Sequence, residues 1–456
     1  MEAFDVAVLG CGPAGLMAAL TAQRAGRRVV AIDRAPVVGG LAASFDVAGQ
    51  RVDLGSHRLH RSIAPDLLDD LRTLLDDELQ PRPRSGRIRL GDRWLGYPLR
   101  PLDLIRNASP RLTFGFARDV VTSPLRRPRA DTFAEHVRAG PGPTLLREFY
   151  APYSRKLWDR APETLDGELF RRRVSATSAG ALVKRVLRPA GRERVGFWYP
   201  RRGFGSISEA LARAVTAGGG TIVLGEPVRS MGRDGGWTMT AGASDISAGV
   251  VVSTIPAAAL TAAADAPPEV LAAANGLETR GAILVYLVVP RPQYTVFDAH
   301  YFPGADIAIA RLSEPKNYRD GDDPVDLTVL CAELPATAGD ERWRAGDAEL
   351  AAAVCDDLAR SGLPDPRPID HHVVRQPNVY PVYDRGFEAR QACVEAWVAD
   401  QPGLVVTGRQ ALFAHDNTHH ALEMGRAAGA HAATGATDAA GWSAARERFR
   451  LHVVED

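Results

Sequence analysis

The sequence has few cysteines and no excess charge of either sign. Its 456 residues contain 55 basic and 55 acidic side chains, and the only cysteines are Cys11, Cys331, Cys355 and Cys393. No two cysteines form a CxxC pair, so the pattern predicts neither a disulfide framework nor a cysteine metal site and favours a reducing, cytoplasmic location. Because the formal net charge is zero, no nucleic-acid partner is expected.

Long apolar runs and several hydrolase motifs are also missing. No run approaches the roughly 20 apolar residues that a membrane-spanning helix needs, and the first strand starts too early to leave room for a signal peptide. We therefore expect no membrane partner. The sequence has no GxSxG, P-loop or HExxH motif, which argues against the chemistries those motifs serve. A chain of this length predicts two domains, or one domain with large insertions.

The first forty residues have the order of a dinucleotide-binding βαβ unit. Phe4 to Leu9 is an apolar run typical of a strand, Gly10 to Gly15 reads GCGPAG, and Leu16 to Arg24 has apolar residues at helical spacing. A second apolar run follows and ends at Asp33. A strand, glycine turn, helix, strand and acidic residue in this order indicate a dinucleotide site.

Each part of this unit has a physical role. Gly10 permits the tight turn, Gly12 lets the backbone approach a pyrophosphate, and Gly15 lets the helix and strand pack closely. The helix N-terminus offers N–H groups and a positive dipole end to phosphates. Asp33 is suited to accept hydrogen bonds from ribose hydroxyls. The alternative, a glycine-rich turn without a ligand, leaves Asp33 unexplained.

A second glycine turn and a polar loop narrow the interpretation. Val38-Gly39-Gly40-Leu41 follows Asp33, and Asp53 to Arg58 reads DLGSHR. This order resembles the glutathione-reductase-type FAD fold. Within that fold it is similar to the branch of amine oxidases, protoporphyrinogen oxidases and UDP-galactopyranose mutases, and to a bacterial subfamily close to the mutases. FAD is preferred over NAD because NAD-binding Rossmann proteins need no second GG at this spacing.

The resemblance implies an α/β fold with a glutathione-reductase-type FAD-binding Rossmann domain and an inserted mixed α+β substrate domain. The FAD-binding domain is expected to be discontinuous, over residues 1–75, 197–260 and 395–440. A helical substrate-domain insertion is expected over 76–196, and the sheet of the substrate-binding domain over 261–394. FAD is expected to be non-covalent, because the segment Gln410 to Phe413 has no cysteine of the kind to which monoamine oxidases attach their flavin.

The resemblance also implies a set of cofactor contacts. Val228 is expected at the adenine, the Gly408-Arg409 pair at the pyrophosphate, and the N-terminus of the last helix at the flavin N1–C2=O edge, where the helix dipole favours anionic reduced flavin. The flavin-side catalytic candidates are His57, Arg58 and His420. The expected FAD-binding residues are Gly10, Gly12, Pro13, Ala14, Gly15, Asp33, Arg34, Gly39, Gly40, Leu41, Ser56, His57, Arg58, Val228, Gly408, Arg409, His420 and Ala421.

The substrate side is less strongly indicated. Tyr153 and Lys156 lie three apart and share a helical face, with Trp158 nearby, although aromatic faces at this spacing are more often core. Arg311 lies in a segment that resembles one carrying a substrate-side arginine in the mutases. The expected substrate-binding residues are Tyr97, Tyr153, Lys156, Trp158, Arg311 and Tyr380. A basic stretch at Arg171 to Arg173, Lys184-Arg185 and Arg192 to Arg202 suits a diphosphate or carboxylate, but a solvated face is favoured.

A metal site is not expected. His415 and His419 are four residues apart and Asp416 lies between them, but a metal needs further convergent ligands.

Two enzymatic functions and one non-enzymatic function remain open. The first is an FAD-dependent oxidoreductase that transfers hydride from a polar metabolite, for example a sugar- or nucleotide-linked one, to flavin N5. The second is a nucleotide-sugar mutase or isomerase of the UDP-galactopyranose mutase type that uses reduced FAD. The third is a flavin-binding structural protein. The sequence leaves the oligomeric state open.

Overall fold

The structure is a computed structural model that describes residues 2–97, 106–174 and 196–454. Lys184, Arg185, Arg192 and Arg194 of the basic stretch lie outside these ranges. The strands are β1 Glu2–Leu9, β2 Val29–Asp33, β3 Ser44–Val47, β4 Gln50–Asp53, β5 Leu59–His60, β6 Leu79–Pro83, β7 Gly86–Leu90, β8 Arg93–Tyr97, β9 Gly196–Pro200, β10 Thr221–Leu224, β11 Val228–Arg233, β12 Trp237–Ala241, β13 Ser244–Ser253, β14 Thr279–Val289, β15 Ala299–Tyr301, β16 Arg311–Ser313, β17 Thr328–Ala336, β18 Asp370–Pro381 and β19 Leu404–Val406.

The helices fall between these strands and after the last one. They are α1 Pro13–Arg24, α2 Pro65–Leu74, α3 Pro110–Thr122, α4 Phe133–Ala139, α5 Pro143–Leu145, α6 Ala151–Trp158, α7 Gly167–Arg173, α8 Ser206–Ala217, α9 Ala257–Ala263, α10 Pro268–Asn275, α11 Glu341–Arg344, α12 Asp347–Arg360, α13 Phe387–Ala399, α14 Thr418–Ala433 and α15 Ala439–Phe449. A π-helical turn, Leu146–Tyr150, joins α5 to α6. Within the described ranges, no helix is both long and apolar enough to cross a membrane.

The first sheet is built on parallel strands in the order β10-β2-β1-β13, with β19 beside the end of β13. Strands β12 and β11 extend it by antiparallel pairing to the start of β13. Val6 and Val8 enter one apolar cluster and Ala7 and Leu9 enter another, so β1 is buried on both faces. Such burial explains its continuous apolar run. The carboxyl ends of β1, β2, β13 and β19 therefore meet at one edge.

Two helices that pack against this sheet approach each other unusually closely. Helices α1 and α14 are in extensive contact although they lie at opposite ends of the chain. A Cβ at Gly425 would lie 2.1 Å from the carbonyl oxygen of Ala14, and one at Gly429 would lie 2.4 Å from that of Ala18. Only glycine fits at these two positions, so the close approach depends on the spacing of four between them.

The second sheet has the order β18-β14-β17-β16-β15-β7-β8 and is antiparallel except between β15 and β7. Alternate residues of β14 enter two apolar clusters, so this central strand is buried on both faces. The interval 76–196, expected as a helical insertion, contributes β7 and β8 to this sheet and β6 to a small sheet with β5 and β9. Helices α4, α6 and α7 pack in a separate cluster around Phe133 and Leu157.

One predicted helix ends early. Leucine spacing predicts a helix from Asp66 to Leu79, but α2 ends at Leu74 and Leu79 begins β6. Asp76 and Asp77 adopt φ values of 51° and 58°. Aspartate tolerates this left-handed region better than most residues, and the resulting turn redirects the chain.

Candidate active site

The glycine turn after β1 is held by the neighbouring strands. Gly10 adopts a φ of +103°, and its N–H donates to the Ile32 carbonyl oxygen at 2.8 Å. A Cβ at Gly15 would lie 1.9 Å from the Gly10 carbonyl oxygen. Gly15 is therefore required by the packing of α1 on the turn itself.

No contact within the described part of the chain requires residue 12 to be glycine. A Cβ there would have the Gly39 carbonyl oxygen as its nearest neighbour, at 3.9 Å. The first turn of α1 carries no side-chain cap, and the second glycine turn faces it, with the Gly39 N–H bonded to the Cys11 carbonyl oxygen at 2.8 Å. Two glycine turns around an uncapped helix N-terminus form a cradle that fits a pyrophosphate.

Asp33 joins the turn to the end of β2. Its carboxylate accepts the Cys11 N–H at 2.7 Å and the Ala35 N–H at 2.9 Å. The Asp33 carbonyl accepts the Glu226 N–H at 3.0 Å, which brings the start of β11 and Val228 to the same edge. The ribose contact of Asp33 and the adenine contact of Val228 stay predictions, as do the contacts of the exposed Arg34 and of Leu41.

The Gly408-Arg409 pair lies against the first turn of α1. A Cβ at Gly408 would be 3.1 Å from the Cβ of Ala14. The half-buried Arg409 side chain donates to the carbonyl oxygens of Asp416 at 2.9 Å and Val379 at 2.8 Å, and its Nε has no hydrogen-bond partner among the described residues. Burial, followed by the nearby Arg173, lowers the pKa of Arg409. The guanidinium thus retains a donor for an anion in this region.

The N-terminus of α14 is capped by Asn417 and His420. The Asn417 N–H donates to His420 Nδ1 at 3.3 Å. The His420 ring stacks on that of His452 with centroids 4.1 Å apart. Ala421 follows on the same turn. The flavin contacts of His420 and Ala421 stay predictions.

Asp416 joins His420 and His452 in one buried group. Its Oδ1 is 3.3 Å from His452 Nδ1 and 3.7 Å from His420 Nδ1, and the three potential ligand atoms lie within 4.8 Å of one another. His415 and His419, whose spacing drew attention in the sequence, lie outside this group. The His415 ring packs 4.7 Å from that of Tyr383, and His419 Nε2 contacts Ser62 Oγ at 3.1 Å.

The loop after β4 places the DLGSHR residues against the second sheet and the small β5-β9-β6 sheet. His57 Nε2 is hydrogen-bonded to the Leu54 carbonyl oxygen at 2.9 Å, and its ring stacks on Phe204 at 5.3 Å. Ser56 Oγ is 2.6 Å from the Tyr318 hydroxyl. The loop is thus fixed from both sides, which suits a segment expected to contact the flavin.

Arg58 is the charged centre of this loop. It donates to the hydroxyls of Tyr301 and Tyr318, each at 3.2 Å, and lies 3.3 Å from Asp298 Oδ1. Its guanidinium lies over the rings of Phe197 at 5.3 Å and Tyr318 at 5.0 Å. Burial opposes the charge, but Tyr318 and Asp298 outweigh it and raise the pKa of Arg58. Arg58 is therefore a fixed cation.

Arg311 and Glu333 form the second charged pair of the site. Arg311 Nε and Nη2 donate to the two carboxylate oxygens of Glu333 at 2.9 and 2.8 Å. The Ser56 N–H donates to Glu333 Oε1 at 2.8 Å, and the Tyr380 hydroxyl lies 3.5 Å from Oε2. Glu333 thus connects the polar loop to two expected substrate residues. Sequence reasoning missed Glu333, because only the register of β17 against β16 places it directly opposite Arg311.

The other expected substrate residues are divided between this site and the helical cluster. The Tyr97 ring lies 5.5 Å from that of Tyr301, beside Arg58. Trp158 is 4% exposed and belongs to the helical core, and the Tyr153 ring packs 5.4 Å from Phe149. The Lys156 ammonium donates to the carbonyl oxygens of Phe302 and Ile309, and burial lowers its pKa to about 7. Their substrate contacts stay predictions.

Three comparisons relate the chain to known proteins. A solved structure of reduced UDP-galactopyranose mutase matches with a TM-score of 0.82 and 19% identity, over 99% of this chain and 100% of that one. A protein assigned as a protoporphyrinogen oxidase from Exiguobacterium sp. 255-15 matches with a TM-score of 0.73 and 19% identity, over 95% and 99% of the two chains. At these identities the matches show the fold alone.

A curated phytoene dehydrogenase from Streptomyces griseus is 39% identical over 77 residues, which are 17% of this chain and only 15% of that protein. The family model of flavin-containing amine oxidoreductases matches residues 13–434. The chain therefore belongs to the flavin-containing amine oxidoreductases and is an FAD-dependent enzyme.

Proposed function

We propose that this enzyme is an oxidoreductase that removes a hydride from a polar small molecule carrying an anionic group, such as a sugar- or nucleotide-linked metabolite. The observation that carries the proposal is the buried group of Arg58, Arg311, Glu333 and tyrosine hydroxyls directly behind the polar loop at Ser56. These side chains offer fixed donors and cations between the second sheet and the small β5-β9-β6 sheet.

The charge of this region favours anionic over cationic substrates. Four guanidinium groups lie here, those of Arg58, Arg173, Arg311 and Arg409, against the three carboxylates of Asp298, Glu333 and Asp416. Arg173 lies over the Trp158 ring at 5.8 Å and has no carboxylate within ion-pair distance among the described residues. An ammonium substrate would be repelled by the uncompensated charge, whereas a phosphate or carboxylate would be attracted.

The protein side chains bind and orient the substrate, and they hold protons at the tyrosine hydroxyls. When bound, FAD supplies the two-electron acceptor. Arg58 and Arg311 are suited to bind the substrate anion, and Glu333 fixes Arg311 by its bidentate contact. Burial raises the pKa of Tyr318, with Arg58 opposing, so its hydroxyl stays protonated and donates hydrogen bonds. Burial, followed by Glu333, likewise raises the pKa of Tyr380.

An anaerobic screen tests this proposal. The FAD-loaded enzyme is mixed with nucleotide sugars, sugar acids and amines, and the absorbance of oxidised flavin is followed. We expect bleaching by an anionic polar compound and weaker bleaching in Arg58→Gln. An exposed arginine on β8, Arg93, supplies the control Arg93→Gln. Bleaching by amines alone, or by none of the compounds, would contradict the proposal.

A second candidate is a nucleotide-sugar mutase or isomerase. The observation that favours it is the placement of Arg311 and Tyr380 together at Glu333, on a fold shared end to end with a reduced UDP-galactopyranose mutase. This function predicts turnover of a nucleotide sugar only after dithionite reduction, and weaker turnover in Arg311→Ala. Isomerisation by the oxidised enzyme without a reductant would rule it out.

We also infer a cytoplasmic location. All four cysteines are free thiols, and Cys11 and Cys331 are buried, as is usual in a reducing compartment. Recovery of the native protein with periplasmic markers on cell fractionation would contradict this.

A further inference from the structure

Helix α3 and the turn after it carry an apolar stripe that faces solvent. Of the eight large hydrophobic residues most exposed in the described part of the chain, three lie here: Phe114 at 77%, Val121 at 78% and Leu125 at 85%. Phe114 and Val121 are seven residues apart, so they lie on one side of the helix. The opposite side is buried through Leu112 and Asp119.

Arginines concentrate around the stripe. The segment 106–130 contains six arginines and a single acid, Asp119, although the whole chain has zero net charge. Asp119 is buried and contacts Arg126 at 3.5 Å. The exposed arginines are Arg106, Arg111, Arg118, Arg127 and Arg129. Within the described ranges, the acid that pairs with Arg111 is Glu148 at 3.9 Å, and Glu148 also pairs with Arg147 at 2.7 Å.

We propose that this apolar and basic face of α3 binds the surface of an anionic phospholipid bilayer. Protruding apolar side chains beside arginines are the arrangement of helices that lie in the headgroup region, and a basic cluster is attracted to anionic lipids. A second copy of the chain is a poor partner because two such faces carry the same charge. A nucleic acid would not bury the apolar side chains of Phe114, Val121 and Leu125.

The proposal goes beyond the proposed function, and it differs from the expectation of no membrane partner. That expectation rested on spanning segments, whereas this contact is peripheral. In this arrangement α3 holds one side of the helical region against the bilayer while the two sheets stay in water.

Vesicle sedimentation tests the proposal on the full-length FAD-loaded enzyme. We expect binding to vesicles of phosphatidylglycerol and phosphatidylcholine, little binding to phosphatidylcholine alone, and a loss of binding as salt rises. The variant Phe114→Ser/Val121→Ser/Leu125→Ser should bind at least tenfold more weakly. Arg111→Gln/Arg118→Gln/Arg127→Gln should weaken binding by about fivefold per arginine.

Matched controls test whether binding depends on this face of α3 or on exposed apolar and basic residues in general. Val296→Ser/Val325→Ser/Ile369→Ser removes three equally exposed apolar residues elsewhere, and Arg93→Gln/Arg229→Gln/Arg233→Gln removes three other exposed arginines. Both should bind like the wild type, and all variants should retain flavin absorbance as a check of folding. Equal binding to both vesicle types, equal effects of the controls, or a dimer in sedimentation velocity that the α3 variant abolishes would overturn the proposal.

Discussion

Replacing Glu333 by glutamine should both destabilise the enzyme and weaken the contact that holds the polar loop at Ser56. The side chain is 2% exposed and accepts two hydrogen bonds from Arg311 and one from the Ser56 N–H. Glutamine keeps the shape but leaves the Arg311 charge uncompensated. Removing one partner of a buried ion pair costs about 3–5 kcal/mol. We expect about 3 kcal/mol, because the Arg311 side chain keeps 23% exposure to water.

Urea unfolding at saturating FAD measures this loss, and flavin fluorescence measures the FAD dissociation constant. The double variant Glu333→Met/Arg311→Met removes both charges and should lose less stability than Glu333→Gln alone. Asp347→Asn is the control, because the pair of Asp347 with Arg375 on β18 of the same sheet is half-exposed and is worth under about 1 kcal/mol. If Glu333→Gln unfolds within 0.5 kcal/mol of wild type and binds FAD normally, as judged by the usual scatter of surface variants, Glu333 does not couple the loop to Arg311.

The remaining predictions concern the cofactor cradle and one buried lysine. Gly12→Ala should change the free energy of unfolding of the FAD-free protein by no more than about 0.5 kcal/mol, yet weaken FAD binding more than tenfold. Gly15→Ala should lower the free energy of unfolding itself, because its Cβ would lie 1.9 Å from the Gly10 carbonyl oxygen. Equal effects of the two variants on unfolding would refute the cradle. Asp33→Ala should lose about 1–3 kcal/mol, since its carboxylate accepts two backbone N–H groups, and should also bind FAD more weakly by fluorescence titration. The pKa of Lys156 is lowered from 10.5 to about 7. Between these two pH values the unfolded chain binds more protons than the folded one, so the free energy of unfolding should rise with pH, by up to about 5 kcal/mol. The variant Lys156→Met should lack that rise in urea titrations, and a pH profile equal to that of the wild type would contradict the assignment.

Local patterns predicted the cofactor half of the molecule well. The strand, turn and helix around Gly10 to Gly15 are confirmed, and so is the second strand, which ends at Asp33. These elements are specified by neighbouring residues: an apolar run buried on both faces, a glycine where a side chain cannot fit, and an uncapped helix start. The family and FAD predictions are confirmed by the family model.

The substrate half depended on contacts between distant residues. Glu333 gave no local signal, because its importance comes from the register of β17 against β16 and from the loop at Ser56, 277 positions away. The helix expected to reach Leu79 stopped at Leu74 because two aspartates turned left-handed. Lys156 shares a helical face with Tyr153, yet its ammonium is bonded to backbone carbonyls of the β15–β16 segment, which periodicity alone does not show.

The contact of Gly425 and Gly429 with Ala14 and Ala18 has a consequence for biosynthesis. Helix α14, which packs on α1, is synthesised about 400 residues after the glycine turn. During translation the apolar surface of α1 therefore stays uncovered while several hundred further residues are synthesised. We therefore expect stable flavin binding only after α14 has been synthesised, and chains interrupted before residue 429 should be recovered as colourless, chaperone-bound or degraded species.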